Sequence, residues 1–390
     1  MLINNLRHLR VFLAIAACHS VSRAAAACRV TQPAATQALA KLEAAAGITL
    51  FARTPQGLYL SPAGECLHQR VKRAFGRLDD ALANVSDRLI LTVTRSQLMA
   101  LIAVVEAQNV SLAAARLGLA QPTVHRAIAQ IERSAAYSLF QRSAIGVTPG
   151  RASMQLAQAA RLAFIELEQA VAELGEFQGR EVGSIIIGAT PLARSHVLPS
   201  ALAQFRVARP KVGIQVIDGP YTDLLAGLRR GEIDVIIGAL RYPPPVEDIV
   251  QEHLFDDELT FFAANDDPLV GRDGIALAEL RLRPWLVPRI GTPARAQFAK
   301  MFTDGGLALP ESLIETGSVI LMREMVGKGG HLACLSRAQA SREISRQLVT
   351  ELNFPGPQTP RPIGLTYRRD WLPTPSQARL LDEVRLFDRD

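Results

Sequence analysis

The chain has 390 residues, 48% of them hydrophobic, which is enough to fill about two to four separate cores. Its formal charge of +6 is uneven, with +8 on residues 1–180 and −2 on residues 181–390, so a polyanion-binding front is joined to a near-neutral back. Four cysteines (Cys18, Cys28, Cys66, Cys334) show neither metal-ligand spacing nor a disulfide framework, and no stretch offers the roughly 20 apolar residues of a membrane span.

In chain order, the first element is an amphipathic helix with Leu9, Phe12, Leu13 and Ala16 on one face. Arg10 ahead of the apolar run 11–18, with Ile15-Ala16-Ala17-Cys18, also imitates a lipoprotein signal. Ser22 is positioned to cap the alanine-rich helix that follows. After a break near Arg29-Val30, Gln32-Pro33 opens a third helix, where proline costs no hydrogen bond. Ala35, Leu39 and Leu42 form its apolar face, and Gln32, Thr36, Gln37 and Lys41 its polar one. Leu50-Phe51, Arg53, Thr54, Gln56 and Gly57 then predict a hairpin. From Pro62, Leu67, Val71, Ala74, Leu78, Ala81 and Val85 repeat at 4,3 spacing, as in a coiled-coil seam.

The pattern of 9–57 then recurs at 98–146 without a gap, at a constant offset of 89. Gln32-Pro33 falls on Gln121-Pro122, Glu43 on Glu132, Phe51 on Phe140, Arg53 on Arg142 and Gly57 on Gly146. The first helix now carries Leu98, Leu101, Ile102 and Val105, and Ser111 takes the place of Ser22. Val124, Ile128 and Ile131 make the third helix's buried face, while Gln121, Thr123, His125, Arg126 and Gln130 make the polar one. Arg142 and Ser143 fall on the second hairpin. A second seam follows at Leu156, Ala160, Ala163, Leu167, Ala170, Leu174 and Phe177. Because the helix of the imitated signal recurs inside the chain, it reads as structural.

Three helices, a short turn before the third and a hairpin predict a winged helix-turn-helix, with the third helix in a major groove. Gln, Thr, Arg and Lys can bond base edges or phosphates. At these residues the chain resembles the LysR-type transcriptional regulators. Copy one carries Ser22, Ala24-Ala25, Gln32-Pro33, Leu42-Glu43, Leu50-Phe51, Arg53 and Leu60-Ser61-Pro62-Ala63-Gly64. Copy two keeps Ser111, Ala113-Ala114, Gln121-Pro122, Ile131-Glu132, Leu139-Phe140, Arg142 and Val147-Thr148-Pro149, and departs at His125, at Ala136 and in a shortened exit. The resemblance implies DNA contacts at Gln32, Pro33, Thr36, Gln37, Lys41, Arg53, Gln121, His125, Arg126, Gln130 and Arg142. It also implies that a linker helix pairs subunits; the longer seam after copy two is the expected dimer seam, the first seam is open to either partner, and the alternative for both is packing within the chain on their own modules.

The back half alternates strand and helix signals: strands at 182–189, 212–217 and 234–238 with helices at 199–206 and 221–230 between them. A second set runs through 259–263, 285–287, 294–302, 319–326 and 331–335, before the chain returns at 362–367 and ends on a helix at 376–387. This predicts parallel sheets in two α/β lobes, similar to the family's periplasmic-binding-protein-like effector domain. Gly231-Glu232-Ile233-Asp234 resembles its G-x-x-D stretch, and Gly327-Lys328-Gly329-Gly330 loosely its second glycine stretch. Ligands of such sheets bind at the carboxyl ends of strands. Thr190, Pro191, Leu192, Leu240, Arg241, Arg289 and the turn Thr316-Gly317-Ser318 occupy those positions, and hydroxyls at a helix start suit an anion. His196 is a further cleft candidate.

The expected architecture is therefore multidomain: two all-α winged helix-turn-helix modules with linker helices, then a two-lobed α/β domain. The borders are 1–64, 65–93, 94–150, 151–180 and 181–390, the last divided into lobe I (181–258 and 362–390) and lobe II (259–361). No Ser-His-Asp order with a nucleophile elbow, no phosphate loop and no metal cluster appears, so neither an enzyme nor a cofactor or metal is expected. The expected protein is a cytoplasmic, effector-responsive regulator. Its partners would be double-stranded DNA, an anionic small-molecule effector, further copies of itself as dimer or tetramer, and RNA polymerase. The alternative is an exported solute-binding lipoprotein.

Overall fold

A computed structural model describes residues 5–135, 137–143, 146–356 and 359–387. The chain divides into two compact units, residues 1–184 with 211–213, and residues 185–210 with 214–390.

The first unit runs through α1 (Leu6–Cys18), α2 (Val21–Ala27), α3 (Gln32–Ala46), the hairpin β1 (Phe51–Thr54) and β2 (Gly57–Leu60), and the long α4 (Pro62–Ala83). A short α5 (Asp87–Thr92) leads to the same order again. That second set is α6 (Arg95–Ala107), α7 (Val110–Leu117), α8 (Gln121–Ala135), the hairpin β3 (Phe140–Ser143) and β4 (Gly146–Pro149), and α9 (Arg151–Glu176). The caps lie two residues before the expected serines: Ser20 accepts from Arg23 N–H ahead of α2, and Asn109 from Leu112 N–H ahead of α7. Ser22 and Ser111 sit inside the first turn instead, because Asn109 is as good an N-cap as serine and fits the tight turn after α6.

Each hairpin is tied to the helix that opens its copy. Leu58 N–H donates to His19 O at 3.1 Å, and Val147 N–H donates to Gln108 O at 3.0 Å. A Cβ on Gly57 (φ 140°) would stand 2.6 Å from His19 O, and one on Gly146 (φ 151°) 2.5 Å from Gln108 O. Only glycine permits both that backbone conformation and that approach.

The two seams are the main correction to the sequence reading. Leu67, Val71, Ala74 and Leu78 of α4, and Leu156, Ala160, Ala163, Leu167, Ala170 and Leu174 of α9, are all buried in one core within this single chain. The two helices pack against each other. The seam expected to pair two subunits is thus filled intramolecularly, since covalent connection places α4 beside α9 at no cost of association. A buried polar cluster fixes the register. Arg70 is fully buried and bonds Glu166 and Gln169, each at 2.9 Å, and Glu173 through Nε at 3.0 Å.

The second unit holds two five-stranded sheets. The first comprises β5 (Ser184–Ala189), β6 (Gly213–Ile217), β7 (Val235–Ala239), β8 (Ile249–Asp257) and β14 (Arg361–Arg368), ordered β6-β5-β7-β14-β8. The second comprises β9 (Leu259–Ala263), β10 (Trp285–Val287), β11 (Leu313–Glu315), β12 (Leu332–Ser336) and β13 (Thr350–Glu351), ordered β11-β10-β12-β9-β13. Neither is all-parallel as expected. β5 and β7 are parallel, but β14 runs antiparallel to β7 and β8, and β9 antiparallel to β12 and β13. The reversals arise because the chain leaves and re-enters the first sheet through β8 and β14, which pair along eight residues. The helices are α10 (Leu198–Ala208), α11 (Tyr221–Arg230), α12 (Leu277–Arg281), α13 (Pro293–Asp304), α14 (Val319–Val326), α15 (Arg337–Ser345) and α16 (Pro375–Leu386), with a π-helical turn at Ala193–Val197.

Where the chain crosses between sheets, Asp257 is buried and gathers the junction. It accepts from Ser336 Oγ at 2.8 Å and Ala338 N–H at 3.2 Å, and it pairs with Arg361. The Asp234 carboxylate of the G-x-x-D stretch accepts from Ile186 N–H at 2.8 Å, stapling the entry of β7 to β5. Burial pushes its pKa up, against the pull of that N–H and of Arg368. The stretch is a structural lock.

Candidate nucleic-acid interface and effector cleft

α3 begins with Thr31 accepting from Ala34 N–H, followed by Gln32-Pro33 in the first turn. Its inner face is Ala35, Ala38, Leu42 and Ala46, with Leu39 half-buried beside them. Gln32, Pro33, Thr36, Gln37 and Lys41 are all exposed on the other side. Thr36 donates to Gln32 O at 3.1 Å, which holds its methyl and hydroxyl in one rotamer. Lys41 lies near the start of α1, where His8 is held below its usual pKa by burial and by that ammonium. The Glu43 carboxylate points inward and accepts from Leu50 N–H at 2.8 Å and Phe51 N–H at 3.3 Å. It therefore couples the end of α3 to the start of the hairpin. Arg53 is exposed on β1 opposite Leu58.

α8 repeats this with changes. Val124, Ile128, Ile131 and Ala135 are buried. Gln121, Thr123, His125, Arg126 and Gln130 are exposed. Glu132 accepts from Leu139 N–H at 2.9 Å, as Glu43 does from Leu50. Ala120 stands where copy one has Thr31, so α8 lacks that hydroxyl cap. Arg126 Nε donates to Pro122 O at 3.3 Å, and Gln130 accepts from Gln97 at 2.7 Å. Arg142 pairs with Val147 in the hairpin, but its side chain lies outside the described residues, as does Ala136 altogether. Neither α3 nor α8 has an acidic residue in its first turn, so nothing there repels phosphate.

In the second unit, Thr190 and Pro191 are half-buried at the end of β5, where Thr190 N–H donates to Ile237 O at 3.1 Å. A Cβ on Gly317 would lie 3.4 Å from the Pro191 ring, so the turn 316–318 of the second sheet meets the first-sheet exit there. Thr316 is buried and takes Ser318 N–H on its hydroxyl at 3.1 Å, while Ser318 caps α14 through Leu321 N–H at 3.2 Å. Leu192 is buried in the core and is withdrawn as a ligand contact. His196 packs edge-on against Phe387, with centroids 4.8 Å apart, and does aromatic packing instead.

Arg241 reaches from the first sheet to the second, donating to Gly291 O at 3.2 Å. Its guanidinium lies 4.3 Å from the Tyr221 ring centroid, and its Nε is buried without a hydrogen-bond partner among the described residues. Beside it a cavity of about 370 Å³ is lined by Arg241, Ile290, Gly291, Thr292, Pro293, Arg295, Ala296 and Ala299. Arg289 is exposed just before this segment and is not among its lining residues. Sequence reasoning missed Tyr221, Thr292 and Arg295, although Gly291-Thr292-Pro293 is a helix-start signal at a strand exit.

Comparison with known proteins decides the family. Residues 178–387 match the LysR substrate binding domain, and residues 6–65 and 96–160 both match the bacterial regulatory helix-turn-helix protein of the lysR family. The chain belongs to the LysR family of transcriptional regulators. It is 31% identical to the HTH-type transcriptional regulator GalR of Pseudomonas putida, over 98% of this chain and 96% of that protein. It is 26% identical to the regulator PcaQ of Agrobacterium fabrum, over 75% of this chain and 95% of PcaQ. A solved full-length CbnR complexed with its target DNA superposes with TM-score 0.52 at 20% identity, covering 76% of this chain and all of that one. That likeness shows a shared fold. As a LysR regulator the protein is not an enzyme. It works on DNA and carries the family's substrate binding domain. The lipoprotein alternative falls: Leu9, Phe12 and Ile15 of α1 fill the core, and lipid attachment at Cys18 would remove them. Among the described residues no helix is long and apolar enough to cross a membrane.

Proposed function

We propose that residues 1–64 and 94–150 are two tandem winged helix-turn-helix modules, each laying its third helix into DNA. The observation that carries this is the recurrence, at offset 89, of one fold with an outward polar face free of acid. Gln32, Pro33, Thr36, Gln37, Lys41 and Arg53 serve the first module. Gln121, His125, Arg126, Gln130 and Arg142 serve the second. Two comparisons support the reading: the helix-turn-helix profile matches in both places, and three quarters of this chain suffice to cover nearly all of PcaQ. The regulator acts in the cytoplasm, where its DNA is.

The effector is a small anion held between the lobes of 181–390. Arg241 and Arg295 on the cavity wall, with Thr292, supply charge and hydroxyl suited to a carboxylate. Thr190, Pro191, Thr316 and Ser318, at the neighbouring strand exits, and Arg289, just before the cavity wall, are further effector contacts in this reading. The test is retention of genomic duplex fragments by the full chain at rising salt. Specific retention that Thr36→Ala and Arg53→Ala weaken is expected, and equal retention of all fragments would refute it. For the cleft, Arg241→Ala should abolish the thermal shift that small carboxylates give the wild type.

A further inference from the structure

The contacts between α4 and α9 carry more than a packing statement. As the α4 residue number rises, its α9 partner's falls. Cys66 meets Glu173 at 3.1 Å, Arg70 meets Gln169 at 2.9 Å, and Arg73 meets Glu166 at 2.9 Å. The helices are therefore antiparallel. Further along, Arg77 lies 3.8 Å from Glu166. Glu166 is Arg77's own counterpart at offset 89. The three closer pairs centre the crossing on Phe75 and Phe164, which are themselves 89 apart, so the two copies are related by an approximate two-fold axis at that pair.

Each copy braces its long helix in a like way, although the two arginines are not counterparts, Arg10 aligning with Met99 and Arg95 with Leu6. In copy one Arg10 pairs with Asp79 at 2.5 Å and stands 4.3 Å over Phe75. In copy two Arg95 pairs with Glu168 at 3.7 Å and stands 5.1 Å over Phe164. Asp79 and Glu168, and Phe75 and Phe164, are again 89 apart. The exits are reciprocal too. Beyond α4, α5 packs on α8 of the other copy, and beyond α9, Gln178 donates to Ala46 O at the end of α3. Gln178 is the counterpart of Leu89 in α5.

We infer that one chain is a complete two-headed reader: α3 and α8, related by the internal two-fold, take the two half-sites of a single operator. This rests on the DNA-binding reading above. The heads are unlike. Thr36 faces His125, Gln37 faces Arg126 and Lys41 faces Gln130 across the symmetry. The operator is accordingly a pair of different half-sites, about one helical turn or a multiple of it apart. An arginine offers a bidentate contact to guanine that glutamine does not, so the two halves differ in preferred base.

The test is a hydroxyl-radical footprint of the full chain on its best-retained genomic fragment. The wild type should protect two neighbouring segments. A Thr36→Ala, Lys41→Ala variant should lose one segment, and a His125→Ala, Arg126→Ala variant the other, each with roughly tenfold weaker binding. All four residues are exposed, so both variants keep the fold. If chains further associate, each added pair of segments should split in the same way. If the α3 variant loses both segments while the α8 variant loses neither, two chains each supply α3 and the inference is overturned. An unchanged footprint for the α8 variant alone overturns it as well, leaving DNA binding intact. A wild type that protects nothing overturns the DNA-binding reading first and this inference with it.

Discussion

Arg70 shows how much one side chain can fix. Burial alone would disfavour its charge, but Glu173 and Glu166 reverse that and hold its pKa above the usual value. Removing it leaves two carboxylates facing a dry seam. Arg70→Met should cost about 3–5 kcal/mol and lower the unfolding temperature of the first unit by on the order of 10 °C. Circular dichroism is the suitable probe, since Trp285 and Trp371 both lie in the second unit. An unchanged melting curve would mean the cluster is dispensable. Glu252 is a pH-dependent counterpart. Its hydrogen bond from Arg385 holds its pKa below the usual carboxylate value. A depressed carboxylate stabilises the fold above its unfolded pKa, and that contribution is lost as pH falls through the folded value. Glu252→Gln should therefore weaken the protein at neutral pH and matter least below about pH 4. Denaturant titrations at both pH values measure this. The thiols behave oppositely: Cys66 and Cys334 are pushed up to about 12, chiefly by burial. Both should resist a thiol reagent in the native protein at neutral pH and react once it is unfolded.

At the scale of elements, the sequence announced helices and buried strands well where their physics is local. The α11 segment Tyr221–Arg230, the strand Leu259–Ala263 and the helix Val319–Val326 end where periodicity and caps say they end. β8 went unread because its nine residues include Glu252, His253, Asp256 and Asp257, whose charges mask the alternation of a strand half open to solvent. α15 is polar nearly throughout and gives only a weak apolar period. The polar faces of α3 and α8 were legible because helical spacing separates them from the core. Tyr221 and Arg295 of the cleft were not, because only tertiary folding brings strand exits and helix starts together. The destination of the α9 seam was equally hidden: a 4,3 repeat says that a helix wants a partner, not which chain supplies it. Leu167, fully enclosed in that seam, provides the check. Leu167→Ala should cost about 2–5 kcal/mol without changing the oligomeric state. Analytical ultracentrifugation reads the second half of that statement, and dissociation of the assembly would show that α9 also serves a subunit interface.

For the whole molecule, the basic first unit should make DNA binding steeply dependent on salt, with each lost phosphate contact lowering the slope of log K against log salt by about one. Arg53→Ala is expected to lower the slope without altering which fragments are preferred. A changed preference would make Arg53 a base reader instead.

The internal pairing of α4 with α9 has a consequence in concentration. Two separate subunits find each other at a rate set by how many are present, and they part on dilution. Two helices on one chain meet at a fixed effective concentration, on the order of millimolar for a short tether. The pairing of α4 with α9 is therefore independent of how many copies of the protein a cell holds. What remains sensitive to abundance is only the association of one finished pair with another.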